Sequence, residues 1–381
     1  MLLDDLLEGT RLRRSTALAA GVLVLVLTCA LPLLGVWLSG DALGQYLHFP
    51  PSISPGDHAG FSWVAFIAGA ITDLALLGAL LGLLFYAAGK GGAILADAPH
   101  KETKCFPLWG WAAVALLALS WLIAWTRFDF VGAFQRHTFF PLWLSFILVV
   151  NGLCEYRKRS SPLLQAPGWF LLLFPVSALF WWVFEYLNAF TSNWHYSGVD
   201  PSEPLNYFLS ATLPFSTVLP AVMSVCALLV SFEAVNEGLK RGPRLAVPGA
   251  RIVASAALLV NGVALMFVGV FPDFLFPALW ISPLVFFTSL QTLTGSENIF
   301  SPLRYGDWRS IVIPALAGLL CGFCWELWNV NSLAQWDYSI PFVDRFPIFA
   351  MPVVGYGGYL PFGLECLVIS QLTYRLLHPR S

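Results

Sequence analysis

Ten apolar runs, each long enough to cross a bilayer as a helix, follow one another along this chain: about Ala17 to Leu38, Phe61 to Tyr86, Leu108 to Trp125, Thr138 to Cys154, Trp169 to Phe190, Tyr207 to Phe232, Ile252 to Val270, Leu275 to Gln291, Ser310 to Val330 and Phe346 to Leu376. A helix rises about 1.5 Å per residue, so roughly 20 apolar residues cross the hydrocarbon layer. Lipid offers no partner to a free backbone N–H or C=O, and an apolar run of this length satisfies its own groups only as a helix. With 58% hydrophobic residues, 11% charged and a mean hydropathy of +0.73, nothing in the composition opposes that reading. The expected fold is all-α: a polytopic membrane protein of about ten transmembrane helices.

The charges predict an orientation. Arg11, Arg13 and Arg14 precede the first run; Lys90, Lys101 and Lys104 follow the second; Arg157, Lys158 and Arg159 follow the fourth; Lys240, Arg241, Arg244 and Arg251 follow the sixth. Arg304 and Arg309 follow the eighth, and Arg375 and Arg380 the tenth, so every second loop is basic, whereas Asp57, Asp200, Glu203, Asp273 and Asp344 fall in the others. Basic loops stay cytoplasmic. Both termini are therefore expected inside, in a multi-pass protein of a bacterial inner (plasma) membrane. The first run is too long, and too closely followed by others, for a cleaved signal peptide; it reads as an uncleaved anchor. A net charge of −2 points away from nucleic acid and leaves membrane lipids as the expected partners. The oligomeric state is left open.

One cassette occurs twice. Glu185 stands in Phe184-Glu185-Tyr186-Leu187-Asn188, followed by Trp194-His195-Tyr196-Ser197; Glu326 stands in Trp325-Glu326-Leu327-Trp328-Asn329, followed by Trp336-Asp337-Tyr338-Ser339. The glutamates lie 141 residues apart and the following tryptophans 142, and Trp143 and Trp280, in similar surroundings, lie 137 apart. These offsets predict two repeats of four helices with the same orientation, within three units: an N-terminal two-helix extension (1–106), a first repeat (107–248) and a second (249–381). Each acid sits roughly 8 Å from its helix end at about 1.5 Å per residue, an expensive place for a charge. Asn188 and Asn329, three residues on, share the acids' helix faces. They read either as partners of the acids or as ties from the helix to the next loop.

The last run is interrupted by Pro352-Val353-Val354-Gly355-Tyr356-Gly357-Gly358-Tyr359-Leu360-Pro361, in which glycine favours other conformations and proline removes donors. Non-helical backbone at that depth must be covered by protein or line a cavity. A fresh helix starting near Pro361 places Glu365 in its opening turn, beside Glu326. The first repeat keeps Pro214 and Pro220 at related places but has Ser224 where the offset of 141 puts Glu365. The second repeat is thus expected to hold the main site.

Glu326, then Trp336-Asp337-Tyr338, then Leu360-Pro361-Phe362-Gly363-Leu364-Glu365 resembles the integral-membrane lycopene cyclase domain, with its intramembrane acid, Trp-x-aromatic pair and later Pro-x-Glu-Glu signature; membrane carotenoid hydratases are related. The resemblance covers the latter part of each repeat, about a quarter of the chain. Leu364 stands where that family has the first of its paired acids, and Glu326 replaces an aspartate. The resemblance implies a redox-neutral cyclase or hydratase acting on an apolar isoprenoid or carotenoid, with no cofactor.

These residue types suit that chemistry. Protonating an alkene needs a carboxylic acid, and a base must later remove a proton or activate water, roles that Glu326 and Glu365 can divide. Trp325, Trp328, Trp336, Tyr338, Tyr356 and Tyr359 offer π faces to a carbocation, and Asn329 a polar contact; Glu185, Asn188, Trp194 and Tyr196 form the pseudo-symmetric counterpart. Aromatic residues, 15% of the chain, also collect at membrane interfaces with no chemistry attached.

Other polar groups are plainer. His48, His58, His137, His195 and Asp57 have no metal-ligand spacing, and no metal is expected. Asn151 and Asn261 read as helix-to-helix ties, whereas Asp73 is an isolated intramembrane acid and a functional lead. Cys321 and Cys324, one turn apart, read as small buried residues, and no structural disulfide is expected. Arg127, Asp129, Gln135, Arg136 and His137 form the most polar segment of the cassette side: either an anionic headgroup site, or Arg127 and Asp129 satisfy each other. A lipid-modifying enzyme, a transporter and a noncatalytic scaffold all remain compatible; the paired acids and their aromatic surroundings favour the first.

Overall fold

The computed structural model describes residues 2–8, 14–51, 56–95, 105–198 and 204–378. Arg11, Arg13, Lys101, Lys104, Asp200, Glu203 and Arg380 lie outside them. Among the described residues nine helices are long and apolar enough to cross a membrane, and a tenth apolar helix, Ala250–Met266, is shorter at 17 residues. The chain is thus an all-α polytopic membrane protein. The principal helices are α1 (Arg14–Leu38), α2 (Trp63–Leu95), α3 (Leu108–Trp125), α4 (Phe139–Lys158), α5 (Pro167–Asn188), α6 (Pro204–Phe215), α7 (Val218–Val230), α8 (Ala250–Met266), α9 (Pro272–Leu293), α10 (Arg309–Asn329) and α11 (Tyr359–Leu377). Two short strands, β1 (Trp194–Ser197) and β2 (Gln335–Tyr338), stand among them.

The strands carry the two cassettes and pair with each other. β1 runs antiparallel to β2, with Trp194 opposite Tyr338, His195 opposite Asp337 and Tyr196 opposite Trp336. Because Trp194 and Tyr196 correspond to Trp336 and Tyr338 in the repeat, this register is two-fold symmetric about the His195–Asp337 pair. Both copies of the cassette therefore lie at one end of the molecule, as same-orientation repeats require.

The basic residues gather at the other end. There Lys158 pairs with Glu233, the Tyr86 hydroxyl donates to the Arg241 carbonyl, and Gly242 N donates to the Gly306 carbonyl. The N-terminal turn Asp4–Leu7 docks on the same end. Arg309 reaches Asp5 at 2.6 Å, and the Leu6 and Glu8 carbonyls accept from Gln371 and Arg375. The Arg309 guanidinium holds the Asp5 carboxyl below its ordinary value.

Sequence reading placed one break, in the final span; there are two, at the same place in each repeat. The expected continuous run Tyr207 to Phe232 is divided into α6 and α7 at Ser216 and Thr217. In the second repeat a 3-10 segment, Val353–Gly358, precedes α11. Proline at 214 and 220 marked the first break, and the apolar residues around them concealed it. Its freed backbone groups are met by Ser177 of α5, whose Oγ donates to the Phe215 carbonyl at 2.6 Å and accepts from Leu219 N at 3.1 Å. Gly318 stands at the equivalent position of α10 and solves the problem by proximity: a Cβ there would fall 2.4 Å from the Tyr359 carbonyl oxygen.

Candidate functional site

Each cassette glutamate is buried, with 1% of Glu185 and none of Glu326 exposed, and each accepts hydrogen bonds on one carboxylate oxygen. Glu185 Oε1 receives the indole N–H of Trp181 at 3.0 Å, that of Trp194 at 3.1 Å and the Tyr196 hydroxyl at 2.5 Å. Glu326 Oε1 receives the hydroxyls of Tyr338 at 2.8 Å and Tyr359 at 2.7 Å. Trp336 reaches this set through its neighbour, donating to the Tyr338 hydroxyl at 2.8 Å. The second oxygen of each acid has no hydrogen-bond partner. Burial first, and the adjacent glutamate second, raise the Tyr196 and Tyr338 hydroxyls well above the ordinary phenol range, so both strand tyrosines keep their protons.

The asparagines do not touch the acids. Asn188 Nδ2 donates to the Trp194 carbonyl at 2.7 Å and its Oδ1 accepts from Asn193 N at 2.8 Å. Asn329 does the same with the Trp336 carbonyl at 2.7 Å and Trp336 N at 2.9 Å. They tie helix to strand, and by doing so aim the Trp-x-Tyr pairs back at the glutamates.

Beneath the strands lies a cavity of about 790 Å³, built by both repeats. Corresponding residues of the two repeats line it: Phe139 and Phe276, Trp194 and Trp336, Tyr196 and Tyr338, Val218 and Tyr359. Trp181, Trp280, Trp325 and Phe362 complete an aromatic wall that Tyr207 and Phe215 extend. The two breaks contribute Pro214, Gly355 and Gly358, the placement that lipid demands of non-helical backbone. The lone Glu365 led us to expect the main site in the second repeat; this cavity is lined by residues of both.

Several expected site residues lie elsewhere. Glu326 and Glu185 stand one layer behind the wall, screened by their tyrosines. Glu365 falls in the second turn of α11, because that helix starts at Tyr359 rather than at Pro361. It faces the Leu284 backbone of α9, with both carboxyl oxygens buried and unpartnered, and does not share the cavity with Glu326. Trp328 points away from the cavity and packs on Trp143 and Phe146, with ring centroids 5.0 and 5.7 Å apart. Tyr356 also lies off the wall, its hydroxyl donating to the Ile348 carbonyl at 3.0 Å. Trp325, Trp336, Tyr338 and Tyr359 do line the cavity. The Asp73 carboxylate presses on the second break, where a Cβ on Gly357 would fall 1.9 Å from its Oδ1. Arg127 does not pair with Asp129; it donates to the carbonyls of Ala124, Thr126 and Asn331. Asn151 and Asn261 make helix-to-helix bonds to Ser224 at 2.9 Å and Ser282 at 3.1 Å. Among the described residues no three metal-ligating side chains come together.

Sequence reasoning missed Trp181, Tyr207, Trp280 and Phe362. Trp181 carried a usable signal: it lies one helical turn before Glu185, on the same face.

No family model, curated protein or solved structure matches this chain.

Proposed function

We propose that this integral-membrane protein takes an apolar lipid of the isoprenoid class into the cavity between its repeats and carries out redox-neutral acid–base chemistry on it, a cyclisation or a hydration. One observation carries the reading: an aromatic cavity whose wall presents, at symmetric positions, tyrosine hydroxyls backed by buried glutamates. An apolar ligand fits such a wall. The partial resemblance to membrane lycopene cyclases supports the same class of substrate. The division of labour differs from the one that resemblance implies, since Glu185, not Glu365, is the second acid at the cavity. In this proposal the cassette end faces outward.

The two acid–tyrosine sets act as donor and acceptor. In the reacting complex the Glu326–Tyr338 hydrogen bond runs the other way: Glu326, entering protonated, donates to the Tyr338 oxygen and passes its proton to it as the Tyr338 proton goes to an alkene carbon. The π pair becomes the new C–H bond, and the cation left on the neighbouring carbon faces the rings of Trp325 and Trp336. Cyclisation consumes a second alkene at that cation, and loss of a proton through Tyr196 to Glu185 restores a double bond. In hydration, water adds to the cation and loses its proton by the same route. Neither course needs an oxidant or reductant.

The test is lipid extraction and mass spectrometry on cells producing wild type, Glu326→Gln or Glu185→Gln, with protein abundance measured in parallel. Loss of a general acid costs on the order of 100-fold or more, so product should vanish in Glu326→Gln while protein and bound precursor remain. Undiminished product in both variants would remove the chemistry. Of the carrier and the noncatalytic scaffold that then remain, the matching breaks in both fourth spans favour the carrier.

A further inference from the structure

The polar segment from Arg127 to His137 divides into residues that hold the fold and residues that do not. Arg127 is committed to three carbonyls, one of them on Asn331 of the second cassette loop. The Gln135 amide donates to the Thr126 carbonyl at the end of α3. Arg136 and His137 follow directly; both are exposed and line the mouth of the cavity. Among the described residues neither side chain has a hydrogen-bond or ion-pair partner. Among the described residues that line the cavity none is an aspartate or glutamate, and Arg136 is the one lysine or arginine.

The second repeat treats the same place in the opposite way. At the offset of 137 that relates Trp143 to Trp280, Arg136 and His137 become Asp273 and Phe274. Asp273 is taken up by the loop before α2, with His58 Nδ1 2.7 Å from one oxygen and Ala59 N donating to the other at 2.9 Å. Phe274 packs on Phe342 at 5.3 Å. The chain thus closes this position in one repeat with its own charges and rings, and leaves a cation and an imidazole at it in the other.

We infer that the mouth receives a phosphate group carried by the lipid whose apolar chain fills the cavity: the ligand is a prenyl phosphate, not a hydrocarbon. This rests on reading the cavity as a lipid site. A guanidinium matches two phosphate oxygens at once and is always charged, and an imidazole beside it adds a further donor. A hydrocarbon ligand leaves that cation facing an apolar molecule, whereas a prenyl phosphate satisfies both ends of the cavity.

The test uses purified full-length protein in neutral detergent, with quenching of the cavity tryptophans as the signal. The probes are geranylgeranyl phosphate, geranylgeraniol, phosphatidylglycerol and inorganic phosphate. A charge-assisted hydrogen bond corresponds to about tenfold or more in affinity, so the prenyl phosphate should bind at least that much more tightly than the alcohol. Arg136→Gln should erase the difference while leaving binding of the alcohol unchanged, which also reports an intact cavity, and Arg136→Lys should restore part of it. Equal affinity of alcohol and phosphate, or equal loss of both in Arg136→Gln, overturns the inference. So does comparable binding of phosphatidylglycerol or inorganic phosphate, which assigns the mouth to ordinary headgroups or free anions. Failure of both prenyl probes to bind overturns instead the lipid-cavity reading beneath it.

Discussion

In the first repeat the donor that reaches the buried acid from outside its strand is on the acid's own helix, Trp181 one turn before Glu185. In the second it comes from a neighbour, Tyr359 at the start of α11. The offset of 141 shows how the exchange is made: Trp181 corresponds to Gly322, and Val218 to Tyr359. A Cβ on Gly322 would fall 2.4 Å from the Tyr359 ring, so the glycine makes the room that the tyrosine occupies. The same trade recurs deeper. Ser177 and Val222 correspond to Gly318 and Gly363, and a Cβ on Gly363 would lie 1.9 Å from the Pro314 carbonyl oxygen. The first repeat joins its helices through a bonding serine, the second by bringing backbones together. A site can therefore keep its donors in space while the sequence supplies them from different elements.

The comparison breaks or sharpens at four points. The largest effect is all-or-none. If the repeats share an orientation, Ser192→Cys and Asn331→Cys should react with an impermeant thiol reagent in intact cells while Arg159→Cys stays unlabelled. Labelling of all three, or of Arg159→Cys with only one of the others, defeats it.

Next comes the packing contrast. Gly363→Ala must push α11 from α10 and should cost about 3 kcal/mol, whereas Val222→Ala removes two methyl groups and should cost about 1.5 kcal/mol. Thermal unfolding followed by size exclusion in detergent ranks them, and the reverse order would mean that the two helix contacts are equivalent after all.

The donor exchange predicts coupling. Gly322→Trp alone should be strongly destabilising, and adding Tyr359→Val should recover about 1–3 kcal/mol, the range expected for residues in contact. Strict additivity would show that the two positions do not compensate each other.

The smallest expected effect is one of sameness. Asn188→Ala and Asn329→Ala remove equivalent helix-to-strand ties, and each should lower stability by about 1–2 kcal/mol, within a few tenths of the other. A large difference would locate a role for one asparagine beyond holding its strand.

Much of this arrangement was legible in the chain. The cassettes identified the acids and the aromatic residues that recur around them, but gave no sign that those residues form paired strands. Proline and glycine marked the break before α11, and Pro214 with Pro220 held the same information for the first repeat. Glu365 misled because an acid in a membrane helix reads as a functional group, whereas its environment depends on which neighbour covers it. Ser224, its counterpart, bonds Asn151 at 2.9 Å. Thr288, which stands where Asn151 does, turns instead to the Leu284 carbonyl at 2.7 Å.

Sequence by itself determined the medium, the apolar helices, their division into matching repeats and the residues that recur in both. Those follow from composition, run length and spacing, which survive without knowledge of any contact. Only the tertiary structure decided that the cavity lies between the repeats, that Trp181, Trp280 and Phe362 wall it and that Trp328 and Glu365 do not. In water, the polar face of a helix marks by contrast which side is buried. In lipid both sides of a span are apolar, so the pattern carries no sign of which face meets bilayer, neighbour or cavity.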